Sequence, residues 1–300
     1  MPVSKKPRRQ KTATSEKKEP VTPQSLPDRR VMEGFLANCN SRGRANDATA
    51  RAQDMMYDAF GKQQPRARVA LAKKALEVSP LCADAWVLLA EEAAQSAEEA
   101  LDFYRKGVEA GELALGPAGF KKYAGSFWGF LETRPYMRAR AGLASALRGI
   151  GQDEAAIDHY RALLELNPND NQGIRYVLAA SFLERGDVPA LKALLSQYDE
   201  DCTAQWRYTQ ALVAFREGDP AADKIAEQAW CANNHVPALL SGTRKALPPV
   251  GDYITIGGED EAAHYVEENG AAWQSAPGAV EWLTKVTANL VSKRPTRTLN

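Results

Sequence analysis

The sequence predicts an all-α protein, a solenoid of stacked helical hairpins closed by a C-terminal helical cap. Three observations predict it. From about residue 45 onward Ala, Leu, Glu, Arg and Lys dominate, residues that lose little freedom in a helix. Apolar positions recur at helical spacing, and the strict alternation of a half-buried strand is nearly absent. The breakers come at a regular interval: Gly151, Gly186 and Gly218 stand 35 and then 32 residues apart, and Pro80 and Pro168 close other segments.

A period near 34 with helix–turn–helix content is the signature of a tetratricopeptide-type array. The spacing predicts paired helices over 45–60 and 66–78, then 84–94 and 97–111. After a longer connection with a helix over 120–131 come the pairs 135–149 and 153–166, 171–185 and 188–198, and 203–217 and 220–232. Within one unit Leu143, Ala144 and Leu147 share a face, Gly151 ends the first helix, and Ala156 and Tyr160 on the second can meet that face. One such unit cannot bury its apolar stripe alone, so the stack is the cooperative element. Residues 45–234 are read as the repeat array. Residues 235–292 are read as a C-terminal extension with capping helices over 259–274 and 277–290. The short run YITIGG (253–258) between them is the one strand-like stretch.

Residues 1–30 read as a disordered basic tail. Residues 1–27 hold five prolines and almost nothing to bury, and residues 1–30 carry nine Lys or Arg against three Asp or Glu. Over the whole chain 38 basic residues balance 38 acidic ones, which removes any whole-molecule argument for nucleic acid. The basic run KKPRRQK leaves nucleic-acid contact open for the tail alone. No apolar run reaches the ~18–20 residues that span a bilayer, so no transmembrane segment is expected and a cytoplasmic location is the default. Cys39, Cys82, Cys202 and Cys231 are isolated, as are His159, His235 and His264. No metal site or cofactor is implied, and buried thiols in a reducing compartment are expected.

Catalysis needs a positioned nucleophile and base, a metal or a cofactor cradle, and no such motif occurs, so the chain is not read as an enzyme. His159 is expected on the exposed side of its helix. The leading function is a protein-interaction adaptor that binds a polypeptide through the inner groove of the repeats. The alternatives are an RNA- or ribosome-associated factor using the basic tail and a regulatory subunit of an enzyme complex.

First helices of successive units line the inner surface of such an array, which nominates Arg138, Arg148, Tyr176, Gln205 and Tyr208 as partner-binding residues. Arginine and tyrosine offer large contact areas and, for arginine, a rigid donor fork. Two richer segments add secondary candidates. In 125–140 these are Trp128, Arg134 and Tyr136, weighed against a role in plugging the join between repeats. In 166–176 they are Asn169 and Asn171, weighed against capping by Asp170 or Asn171. The lysine or asparagine of a carboxylate clamp is missing, since Ala141 stands there.

Trp86-x-x-Leu89-Ala90, Gly151, Ala156, Tyr160 and Pro168 resemble the tetratricopeptide consensus. A narrower resemblance follows. Asn234-His235-Val236-Pro237, Leu239-Leu240, Leu247-Pro248-Pro249, Gly258-x-x-Glu261-Ala262, Tyr265, Trp273, Gly278-Ala279 and Leu283 occur in the order of the C-terminal region of the suppression-of-tumorigenicity-seven family. ETRPYMRAR (132–140) and LNPNDNQGIRY (166–176) resemble segments of bacterial-type relatives. The combined likeness covers about residues 47–287 and implies no activity, cofactor or catalytic residue.

Overall fold

The structure, a computed structural model, describes residues 28–39, 47–245 and 254–292. These form fourteen α-helices with no strand among the described residues. In chain order they are α1 (Arg29–Cys39), α2 (Ala48–Phe60), α3 (Pro65–Val78), α4 (Ala83–Glu92) and α5 (Ala97–Tyr123), then α6 (Arg134–Gly149), α7 (Asp153–Leu166), α8 (Ile174–Arg185) and α9 (Val188–Gln197). They continue as α10 (Ala204–Glu217), α11 (Ala222–Ala232), α12 (Val236–Leu240), α13 (Glu259–Gln274) and α14 (Ala279–Ser292). A 3-10 turn, Phe127–Gly129, precedes α6. Most of the expected tail lies outside the described residues, but its last two residues, Arg29 and Arg30, open α1, a helix the apolar pattern did not announce.

Helix ends follow local chemistry. Asp47, Ser96, Asp187 and Thr203 each accept a backbone N–H of the helix they open, which satisfies donors that the helix itself leaves free. Gly186 and Gly218 close α8 and α10 in the left-handed region, at φ 68° and 65°, which L side chains rarely adopt.

Consecutive helices pack on one another, α2 on α3, α4 on α5, α6 on α7 and α10 on α11, and α4 also meets α6. The helix predicted over 120–131 is instead the end of α5, which breaks at Gly116 (φ 58°, ψ 173°) ahead of Pro117, followed by the 3-10 turn. The α5–α6 approach is close enough that a Cβ on Gly142 would lie 2.1 Å from Tyr104 Cε1.

Two apolar clusters result. A smaller one spans Ala37 to Leu89 and centres on Met56, Phe60 and Leu88. A larger one runs from Val87 to Leu283 and includes Trp206, Tyr265 and Trp273. Each large side chain taken fully out of water contributes ~1.5–3 kcal/mol. Of the thiols expected to be buried, Cys82 is, and burial raises it to about 12. Cys202, in the loop before α10, and Cys231, near the end of α11, are exposed.

Candidate functional site

A cleft of about 550 Å³ opens where the end of α6, the start of α8, the start of α10, the segment 254–256 and α13 converge. Arg148, Tyr176 and Gln205 all line it. Arg148 reaches across from the last turn of α6 and donates from Nη2 to both oxygens of Glu184, at 2.8 Å each. Both groups are solvent-accessible, so the pair is weakly held and can exchange for a ligand group.

Tyr176 is oriented by its neighbours. Its hydroxyl donates to Asp201 Oδ2 at 2.8 Å and accepts from Arg175 Nη2 at 2.6 Å, and its ring meets Trp206 edge-on. Burial, reinforced by Asp201, pushes the phenol up to about 12. The tyrosine therefore presents a fixed ring wall and keeps its proton.

Gln205 exchanges amide hydrogen bonds with Asn269, donating at 3.4 Å and accepting at 2.8 Å, which ties α10 to α13. Below them the buried Glu261 carboxylate accepts from the N–H groups of Ala204 and Gly257 and from Asn233 Nδ2. It pins the turn that carries Ile254 and Ile256, which remain 52% and 65% exposed on the cleft wall. Gln172 also lines the cleft, and its Oε1 is enclosed without a hydrogen-bond partner among the described residues. His264 and Glu268, 3.5 Å apart on α13, complete the rim. In place of the expected strand-like character of 253–258, Ile254 and Thr255 have no regular structure and a turn follows, with residue 253 outside the described residues.

Two candidates are corrected. Arg138 does not line the cleft and is engaged within the chain. Its Nε and Nη2 bond Asp84 at 2.8 and 2.6 Å, and its Nη1 bonds both oxygens of Glu33 at 3.0 Å. Burial works against its charge, but Asp84 and Glu33 outweigh that and raise its pKa further. Tyr208 is fully buried, donates to Asn233 O at 2.6 Å, and packs against Tyr265 and Trp273. The packing of α13 and α14 onto α10 encloses it.

The secondary candidates are spread out. Trp128 stacks under Arg134, whose Nε donates to Trp128 O at 2.9 Å. Tyr136 is buried with Phe127 and Phe120 at the join, and its hydroxyl meets Arg140 and Glu112. The aromatics thus plug the irregular turn. Asn169 and Asn171 are exposed on a turn whose capping falls to Asp170, which accepts from Ile174 N and Arg175 N at 2.7 and 2.9 Å. Asn169 lines a separate shallow groove beside Arg175 and Asp201. His159, expected to be exposed, is half-buried, and burial with Arg140 nearby lowers its pKa.

The residues that sequence reasoning missed are Ile254, Ile256, Glu261 and Gln172. The two isoleucines sit in a segment with no helical period, and the period was the only guide to facing. Among the described residues no group of three or more His, Cys, Asp or Glu is placed to hold a metal ion, and no helix is long and apolar enough to cross a membrane.

Comparison with known proteins adds one finding. A family model described as ST7 protein matches residues 38–296. The chain is 26% identical over 265 residues to the Protein ST7 homolog of Drosophila melanogaster, covering 79% of this chain and 49% of that protein. It is 27% identical over 264 residues to the Suppressor of tumorigenicity 7 protein-like of Gallus gallus, covering 79% and 47%. With the protein of the same description from Homo sapiens it shares 28% identity over 256 residues, covering 76% and 44%. The chain spans about half the length of the curated relatives it matches.

Proposed function

This chain belongs to the ST7 protein family, and from that premise we propose that it is a protein-interaction adaptor of the cytoplasm, built as a tetratricopeptide-type array, that holds an extended polypeptide segment in the cleft of Arg148, Tyr176 and Gln205. One observation carries the reading. Three residues nominated by their repeat positions converge on one open cleft whose far wall is two exposed isoleucines. Apolar walls with a few fixed polar groups are the composition of a recognition site. The amide side chains of Gln172 and Gln205 line the cleft, and amides carry both the donor and the acceptor that a peptide backbone needs. The near-regular glycine period and the hairpin-wise packing support the repeat assignment.

The test is to pan a phage-displayed peptide library on the immobilised full chain, then measure the selected peptides against Arg148→Ala and Ile256→Asp. Ile256 is exposed and Arg148 is half-buried with only a surface ion pair, so each variant should unfold within about 0.5 kcal/mol of the wild type. Peptide affinity should fall about tenfold or more with either change. Selected peptides that bind both variants as well as the parent would place recognition elsewhere and defeat the reading.

A further inference from the structure

Helix α1 packs the wrong way round for a structural helix. A helix laid on a protein core ordinarily turns its large apolar stripe inward. In α1 the fully buried residues are Glu33, Gly34 and Ala37, with Arg30 and Val31 half-buried, while Met32, Phe35 and Leu36 face out at 61%, 65% and 47% exposure. Besides Val31 and Ala37, which meet the smaller apolar cluster, and Arg30, which lies over the Phe60 ring and pairs with Glu91, α1 is held by the charge of Glu33 and a close backbone approach. Glu33 accepts from Arg138 at 3.0 Å and from Arg134 at 3.1 Å on α6. Gly34 lies so near α2 that a Cβ there would be 2.7 Å from Tyr57 Cβ.

The groups that receive α1 are held by other partners. Arg138 is forked onto Asp84, and Arg134 is anchored on the carbonyl and ring of Trp128. The berth would therefore keep its two guanidinium groups in position with α1 gone. Prepositioned arginines of this kind suit a carboxylate.

From this we propose that the surface formed by α2, α4 and α6 is a second binding site, specific for a helix that carries a carboxylate beside a small residue, and that α1 is its intramolecular occupant. A partner helix of the pattern Glu-Gly-x-x-Ala, or its close equivalent, exchanges with α1 and takes the same arginines. Tethering gives α1 a high effective concentration, so the site answers only to a partner that outcompetes it or to a change that weakens α1. This site is independent of the cleft proposed above, and its test does not involve cleft residues.

The experiment uses the full chain and a fluorescent peptide of residues 28–39 with Cys39→Ser. Two variants weaken α1 by different means. Glu33→Gln removes the carboxylate. Gly34→Ala raises helix propensity but pushes α1 away from Tyr57. In both, amide exchange of α1 should speed up about tenfold or more, the scale of one lost charge-assisted contact, while α2 and α6 keep their wild-type protection. The peptide should bind both variants, bind the wild type at least tenfold more weakly, and lose affinity as salt rises. A peptide carrying Glu33→Gln should not bind. If α1, α2 and α6 lose protection together in both variants, α1 is part of the core and the proposal is wrong. It is equally wrong if the peptide binds neither variant.

Discussion

Asp84 and Arg138 meet fork to fork between α4 and α6, Oδ1 to Nε at 2.8 Å and Oδ2 to Nη2 at 2.6 Å, with the aspartate wholly enclosed. A buried pair of this kind contributes little net stability when whole, yet breaking it is expensive because one charge is left without compensation. Arg138→Ala should therefore destabilise the protein by ~3–5 kcal/mol. Urea unfolding checks this. A loss under ~1 kcal/mol would show that water or Gln53, which donates to Asp84 at 2.7 Å, suffices for the carboxylate.

Tyr208 makes a milder case. Tyr208→Phe keeps the ring between Tyr265 and Trp273 but removes the only donor its hydroxyl gives, to Asn233 O. A buried acceptor left unmatched costs ~1–3 kcal/mol. Thermal and urea unfolding of the variant should both show a loss in that range.

Alkaline pH should weaken the fold. Burial raises Tyr176 to about 12 and moves Tyr208 and Tyr265 further in the same direction. A tyrosine with a raised pKa is neutral in the fold while the unfolded chain ionises near the ordinary value of about 10. Protons are then held more tightly by the native state, so stability is fully present below about pH 10 and is lost as pH rises through the folded values. Urea midpoints measured upward from about pH 9 should fall, and tyrosinate absorbance should show a group of phenols that titrate only on unfolding. Midpoints that stay level above the ordinary tyrosine range would contradict the burial of these rings.

Gly142→Ala probes the contact between α5 and α6. The added methyl would sit inside the Tyr104 ring, so either the ring or the helix must move. Overpacking of this sort costs ~1–3 kcal/mol, set against up to ~1 kcal/mol gained from helix propensity. A net loss is expected in urea unfolding, and the double variant Tyr104→Leu with Gly142→Ala should recover part of it.

Much of this was legible in the sequence, for reasons particular residues make plain. Gly186 and Gly218 announce helix ends because only glycine takes their φ cheaply. Repeat position placed Arg148, Tyr176 and Gln205 on one side of the chain, and they do share a cleft. Periodicity states which side of a helix a residue occupies and not what lies across from it. Hence Tyr208 was read as open although α13 covers it, and Arg138 was read as a free anchor although its carboxylates come from Asp84, 54 positions before it, and from the unforeseen α1. The apolar pattern does not announce that helix, because its fully buried residues are Glu33, Gly34 and Ala37 while Met32, Phe35 and Leu36 face out.

The division into two apolar clusters has a consequence for the chain as it is made. Every buried member of the smaller cluster lies between Ala37 and Leu89, so that unit can close while the remainder is still being synthesised. Asp84 stands in the first turn of α4 beside that cluster, where Gln53 donates to it. Its cation lies 54 residues downstream. At a synthesis rate of about 5–20 residues per second, the carboxylate waits roughly 3–10 s for Arg138. Arrival of α6 then adds this fork, and the Arg134 and Arg138 bonds to Glu33, to the packing of α5 on α4, so two carboxylates of the N-terminal helices gain their arginines only after those helices have been made.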